Sequence, residues 1–320
     1  MQTGKKALVL SGGGIKGAFQ AGAIAAIVEQ GFAPDIIVGT SVGSLNGTFL
    51  ADRAGRARLA GTPVDWPSLG RELEAFWRRR IRSPGDVITK KGTLRLVFEI
   101  AFSKFTGVVG IEPWKKLVAT EVTLANIRAS GITLSVETVN VIDGQLVSAD
   151  PTVPPYQDNF LDYVVGSAAM PLVMPLIDIG GALYTDGGLR EVAPFGQAID
   201  LGADDVICVV CQAEAVEHHA FQPKKIVELA QRMMDIITNE TVQNDLREVL
   251  RVNALVQQHG PDPAGTGVPD YRIIRPLVIR PDEAIAVDIQ KFTSAEIEAM
   301  IVAGRAQVQR QQAQTRELVA

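Results

Sequence analysis

Asp35-Ile36-Ile37-Val38-Gly39-Thr40-Ser41-Val42-Gly43, followed by the helix-like run Leu45 to Arg53, is the stretch on which the fold turns. A short apolar run ends in G-x-S-x-G, and a helix is predicted directly after it. In that context a serine sits on a sharp strand-to-helix turn with its hydroxyl exposed. Glycines on both sides remove the Cβ atoms that would crowd the turn. The helix beginning after Ser41 directs its free N–H groups and positive dipole end at charge developing there. The pentapeptide alone is a weak signal in a chain with 30 glycines; the flanking strand and helix give it weight. Gly39, Thr40, Val42 and Gly43 are therefore the predicted elbow around Ser41.

A second glycine-rich turn lies upstream. Lys6 to Leu10 reads as a buried strand and Ala18 to Glu29 as an alanine-rich helix. Between them, Gly12-Gly13-Gly14-Ile15-Lys16-Gly17 presents several backbone N–H groups to one point, a nest that suits a phosphate or an oxyanion. Gly12, Gly14 and Gly17 also satisfy the dinucleotide fingerprint G-x-G-x-x-G. That fingerprint needs an acidic residue at the far end of the second strand. Asp35 instead precedes the Ile36–Val38 run, which weakens a nucleotide reading.

A serine nucleophile needs a base. The three histidines, His218, His219 and His259, lie in a polar stretch and at a helix end, and read as exposed or capping residues. No cysteine or second histidine lies at ligand spacing, so no metal site is expected. Asp186, followed by Gly187 and Gly188, closes a short strand after the Gly180-Gly181 turn.

The ordered set GGGIKG, GTSVG and DGG resembles the patatin-like phospholipase family. Gly166-Ser167-Ala168-Ala169-Met170-Pro171 is similar to that family's small-residue segment ahead of a proline. The resemblance covers roughly residues 5 to 210. It implies a three-layer α/β/α fold with a mainly parallel sheet and a serine–aspartate dyad without histidine. Ser41 would be the nucleophile and Asp186 the general base, with Gly187 and Gly188 supporting it. The Gly12, Gly13, Gly14, Lys16 and Gly17 backbone would form the oxyanion hole, Gly13 and Gly14 being the expected donors. No cofactor is implied.

Composition agrees with an enzyme of this kind. The chain has 320 residues, 47% of them hydrophobic, and a net charge of −5. That acidity argues against a nucleic-acid partner. No run reaches the roughly 18 apolar residues of a membrane span, and the N-terminal apolar run is too short for a signal peptide. The expected compartment is the cytoplasm. Cys208 and Cys211 fall in a β-branched run, where positions three apart face opposite sides. They read as buried thiols.

Strands are predicted at Ala7–Leu10, Ile36–Val38, Thr133–Asn140, Gln145–Val147, Ile177–Ile179 and Asp205–Val210, with a hairpin turning at Asp143-Gly144. Residues 5–210 form the expected catalytic domain, with a cap-like insertion over 61–110. Residues 211–320 form a mainly helical extension packed on the same domain. In that extension, Lys224 to His259 is a long helical run, with a break expected near Asn239. Gly260 to Pro269 reads as a loop, Tyr271 to Arg280 as a strand interrupted by Pro276, and Ser294 to Ala320 as a terminal helix. Within the insertion, Phe76-Trp77-Arg78-Arg79-Arg80 and the run carrying Phe98, Phe102 and Phe105 suit either a cap over the site or peripheral contact with an anionic membrane through 76–105. The function expected is a lipid acyl hydrolase acting on a lipid ester. The alternative is a catalytically silent lipid- or nucleotide-binding module that uses the Gly12–Gly17 loop.

Overall fold

The computed structural model describes residues 4–214, 226–261, 273–274 and 276–319. Its strands are β1 (Lys5–Leu10), β2 (Ile36–Thr40), β3 (Thr89–Lys90), β4 (Val109–Gly110), β5 (Thr133–Asn140), β6 (Leu146–Ala149), β7 (Ile177–Ile179), β8 (Ala182–Asp186), β9 (Ala203–Val209) and β10 (Leu277–Ile279). Its helices are α1 (Gly17–Glu29), α2 (Val42–Leu59), α3 (Trp66–Arg80), α4 (Thr93–Ala101), α5 (Glu112–Glu121), α6 (Leu124–Ala129), α7 (Phe160–Ser167), α8 (Phe195–Asp200), α9 (Ile226–His259) and α10 (Ser294–Val319).

The main sheet runs β10-β9-β1-β2-β5-β8-β7, with β6 also paired to β5. From β10 to β5 the pairings are parallel, and β6, β8 and β7 add antiparallel pairs at the other end. Strand residues alternate between two cores. Leu8, Leu10, Ile37, Leu134 and Val209 meet α1, α2 and α3 on one face. Ala7, Val9, Ile36, Val38 and Val206 meet α8 and α9 on the other. This period of two, with helices on both faces, makes the chain a three-layer α/β/α protein and explains why the central strands are apolar throughout. Cys208 and Cys211 are buried and free, and fall in opposite cores as their spacing requires.

Almost all of α1 is buried, because α3 and α10 cover what the sheet does not. Its small residues permit close approach. A Cβ added at Gly22 would lie 2.0 Å from the Ile301 carbonyl of α10, and one at Gly304 would lie 2.0 Å from that of Phe19. The terminal helix is thus locked onto the first.

The helix expected after Ser41 is α2, which begins at Val42 and extends past Arg53 to Leu59. Two expectations need correction. No break occurs near Asn239, and α9 is one helix. The Asn239 side chain donates outward to the Ala213 and Glu214 carbonyls instead of competing for its own helix backbone. Of the predicted strand 271–280, only Leu277–Ile279 after Pro276 is a strand among the described residues. His218, His219 and the loop 262–269 lie outside the described residues.

Filling the α1–α10 contact is expected to destabilise the fold. Gly22→Val should cost about 1–3 kcal/mol or more, read as a lower urea midpoint. Gly92→Ala, where an added Cβ meets nothing within 4 Å, should stay within about 0.5 kcal/mol of the parent.

Candidate active site

β2 is buried along its whole length and delivers Ser41 to the start of α2. Ser41 has φ 56° and ψ −123°, a backbone conformation that costs a non-glycine residue about 1–3 kcal/mol. Its neighbours hold it there. The Ser41 N–H donates to Ser167 Oγ at 2.8 Å, and that hydroxyl donates to the Glu137 carbonyl at 2.6 Å. Ser44 donates to the Ser41 carbonyl through both its N–H and its hydroxyl. The flanking glycines are required by contact: a Cβ at Gly39 would lie 2.5 Å from the Gly43 carbonyl, and one at Gly43 would lie 2.2 Å from that of Leu10. Thr40 is tied down by its hydroxyl, which donates to the Glu191 carbonyl.

β5 brings Asp186 to Ser41. The last residue of β2, Thr40, pairs with Glu137, and the last residue of β8, Asp186, pairs with Thr138. Because β6 occupies the opposite edge over Val136–Val139, β2 and β8 share one edge of β5 end to end, running in opposite directions. Their C-terminal ends therefore meet. The Ser41 hydroxyl lies near enough to the Asp186 carboxylate to favour its charged form, and both side chains line the same cleft. Asp186 also accepts the Gly188 N–H at 2.8 Å. Gly187 passes so near β5 that a Cβ would lie 2.4 Å from the Glu137 carbonyl. Burial pushes the Asp186 carboxyl up to about 6, against the lowering effect of the Gly188 hydrogen bond and the nearby Ser41 hydroxyl.

The glycine loop lies over Ser41, where a Cβ at Gly12 would come 3.2 Å from the serine Cβ. Its amides are not equivalent. The Gly12 N–H donates to the Val192 carbonyl and the Lys16 N–H to that of Gly13. The Gly17 N–H donates to Gly14 and Ile15. Of the five residues expected to supply the hole, only Gly13 and Gly14 have N–H groups without an internal acceptor among the described residues. Lys16 uses its side chain in an ion pair with Asp235 at 3.0 Å.

Two lobes of one cleft meet at Ser41 and Asp186. One, of about 680 Å³ including its open mouth, is bordered by Lys16, Asp235, Gln212 and Thr238. The other, about 500 Å³ likewise including its open mouth, is walled by Trp77, Trp114, Ile81, Val87, Met170 and Met174 and is almost wholly apolar. Sequence reading missed Ser167 as the brace of the elbow, though it lies in the Gly166–Pro171 segment already singled out. It also missed Trp114 and Gln212, which carry no local signal. Arg78 pairs with Glu74 and Glu298, and Arg80 with Glu121, so these two arginines are occupied by the protein itself. His259 is exposed at the end of α9, far along the chain from these motifs.

A family model, patatin-like phospholipase, matches residues 8–199. The chain belongs to the patatin-like phospholipase family. A search of curated proteins found no match. Among solved structures, VipD from Legionella pneumophila is similar over 96% of this chain and 66% of its own, at 14% identity and a TM-score of 0.44. The chain thus spans just under two thirds of that structure's length.

The raised Asp186 carboxyl has a consequence for stability. Its folded value of about 6 exceeds the ordinary 3.8, so the neutral acid favours the fold and ionisation opposes it. Stability from this group is complete below 3.8 and is lost as pH rises through 6, a difference of about 3 kcal/mol at 1.36 kcal/mol per pH unit. Asp186→Asn cannot titrate. Its stability relative to the parent, from paired urea unfolding curves, should therefore rise by a few kcal/mol between pH 4 and pH 7.5 (about the span of that titration).

Proposed function

We propose that this patatin-like protein hydrolyses carboxylic esters of lipids through an acyl-enzyme on Ser41. The observation that carries the reading is the approach of the Ser41 hydroxyl to the Asp186 carboxylate beside the Gly13 and Gly14 amides, where an apolar lobe meets one of mixed lining. Asp186 accepts the Ser41 proton as Oγ attacks the ester carbonyl. The tetrahedral oxyanion takes hydrogen bonds from the Gly13 and Gly14 N–H groups. Collapse returns the proton to the leaving alcohol, and a water activated by Asp186 then releases the fatty acid.

Energetics favour this division of labour. A carboxylate at its reference value of about 3.9 is a weak base. A carboxyl raised to about 6 is a stronger one that is still mostly ionised at pH 7. One donor of an oxyanion hole is worth about 3–4 kcal/mol, so two amides at Gly13 and Gly14 supply a large part of the barrier lowering. The apolar lobe supports a fatty acyl chain as the acid moiety. The lobe with Lys16, Asp235 and Gln212 supports a polar alcohol or head group, as in a phospholipid or lysophospholipid.

Ser41→Ala and Asp186→Asn should each lower turnover of a soluble p-nitrophenyl ester by about 10³-fold or more. A fluorophosphonate probe should label the parent at Ser41 and leave Ser41→Ala unlabelled. Retained turnover by Ser41→Ala would refute the assignment, and a parent without labelling or turnover would make the chain a silent binding module. Because only ionised Asp186 accepts a proton, kcat/KM should rise with pH through a midpoint near 6 and level off above it. A flat profile across that range would remove Asp186 as the base.

A further inference from the structure

α4 is built inside out. Its one acidic residue, Glu99, is turned into the protein, where Lys91 and Arg95 each contact its carboxylate at 2.8 Å. Lys91 also donates to the Thr106 hydroxyl and the Gly107 carbonyl, which pins the end of the segment. The apolar residues face outward: Leu94 is 89% exposed, Ile100 64%, Phe102 62% and Phe98 55%. Phe98 and Phe102 stack on each other at 4.4 Å between ring centres, not on the core. A helix of a water-soluble surface normally shows the reverse arrangement, and contiguous exposed apolar area of this kind marks an interaction face.

Two observations say what covers it. The first is charge. Between Val87 and Ile111 the chain carries Lys90, Lys91, Arg95 and Lys104 against the single acid Glu99, although the whole chain has a net charge of −5. Lys90 and Lys104 are exposed. The second is continuity with the cleft. The Val108 and Val109 N–H groups donate to the Val173 carbonyl, and a Cβ at Gly107 would touch the Met174 backbone. Met170 and Met174 wall the apolar lobe, while Leu172 between them is 69% exposed with φ 65°. The stretch that follows α4 is therefore fastened to the segment that walls the lobe assigned to an acyl chain.

We propose that α4, together with the exposed Leu172, docks this protein on an anionic lipid bilayer. The aromatic and aliphatic side chains enter the acyl boundary while Lys90 and Lys104 meet anionic head groups. Arg78 and Arg80, already paired within the protein, are not part of this surface. The choice of a lipid as the occupant rests on the hydrolase reading; the docking itself is tested without catalysis.

Co-sedimentation of the full chain, in the Ser41→Ala background, should show binding to mixed phosphatidylcholine–phosphatidylglycerol vesicles and weaker binding to phosphatidylcholine alone. The variant L94D/F98D/F102D should reduce partitioning by about tenfold or more. In the Ser41 parent it should leave turnover of a soluble short-chain ester within about twofold and lower hydrolysis of vesicle lipid. Equal sedimentation of variant and parent, or none by the parent, overturns the proposal, whatever the soluble-ester result says about Ser41. A parent that is dimeric in light scattering, becomes monomeric in the variant and does not sediment also overturns it, because the face then belongs to a second copy. Should the triple variant misfold, Phe98→Cys carrying an environment-sensitive fluorophore serves instead. A blue shift on anionic vesicles is expected, and an unchanged spectrum overturns the proposal.

Discussion

Two strands share one edge of β5, and the site depends on that arrangement. Parallel β2 leaves the edge at Glu137 and antiparallel β8 enters it at Thr138. Strands approaching from opposite directions along one ladder must end face to face, so their terminal side chains meet although they are remote in sequence. Ser41 and Asp186 are those meeting ends. The same crowding dictates the glycines: with Gly187 against the Glu137 carbonyl and Gly43 against that of Leu10, any side chain would force the strands apart.

Such a junction is costly. A left-handed serine stores about 1–3 kcal/mol, and the ionised Asp186 opposes folding by a similar amount at neutral pH. Glu137, buried under the elbow, is also pushed up to about 7 by desolvation, against hydrogen bonds from Ser148 and Ser135. Against a typical domain stability of about 5–15 kcal/mol, these are large terms. They are tolerated because the junction is over-determined by Ser167 and Ser44 and is flanked by two continuous cores.

The helices divide by what they cover. α1 is buried all round between sheet, α3 and α10, and α3 buries Leu73, Phe76 and Trp77 while pairing Arg78 and Arg80 with carboxylates. α4 does neither. Its acid Glu99 is held by Lys91 and Arg95, and its apolar residues are left outward. The segment 61–110 thus contains a packed helix and a projecting one, a distinction invisible in composition. Among the described residues no helix is long and apolar enough to cross a membrane.

By itself the sequence determined what depends on neighbours along the chain. The apolar runs of β1, β2, β5 and β9, the hairpin at Gly144, the strand–G-x-S-x-G–helix order and the turn after Asp186 all follow from periodicity and from local glycine chemistry, which short segments carry whole. Tertiary structure alone decided which amides of the glycine loop are free. Val192 takes the N–H of Gly12 from a remote loop, and nothing near Gly12 in sequence announces it. The same holds for Ser167 as the brace of Ser41, for Asn239 tethering a loop instead of breaking α9, and for the outward face of α4. Each turns on a partner brought near by strand register or helix packing, and a hydrogen bond or buried face belongs to two segments that only the folded chain places together.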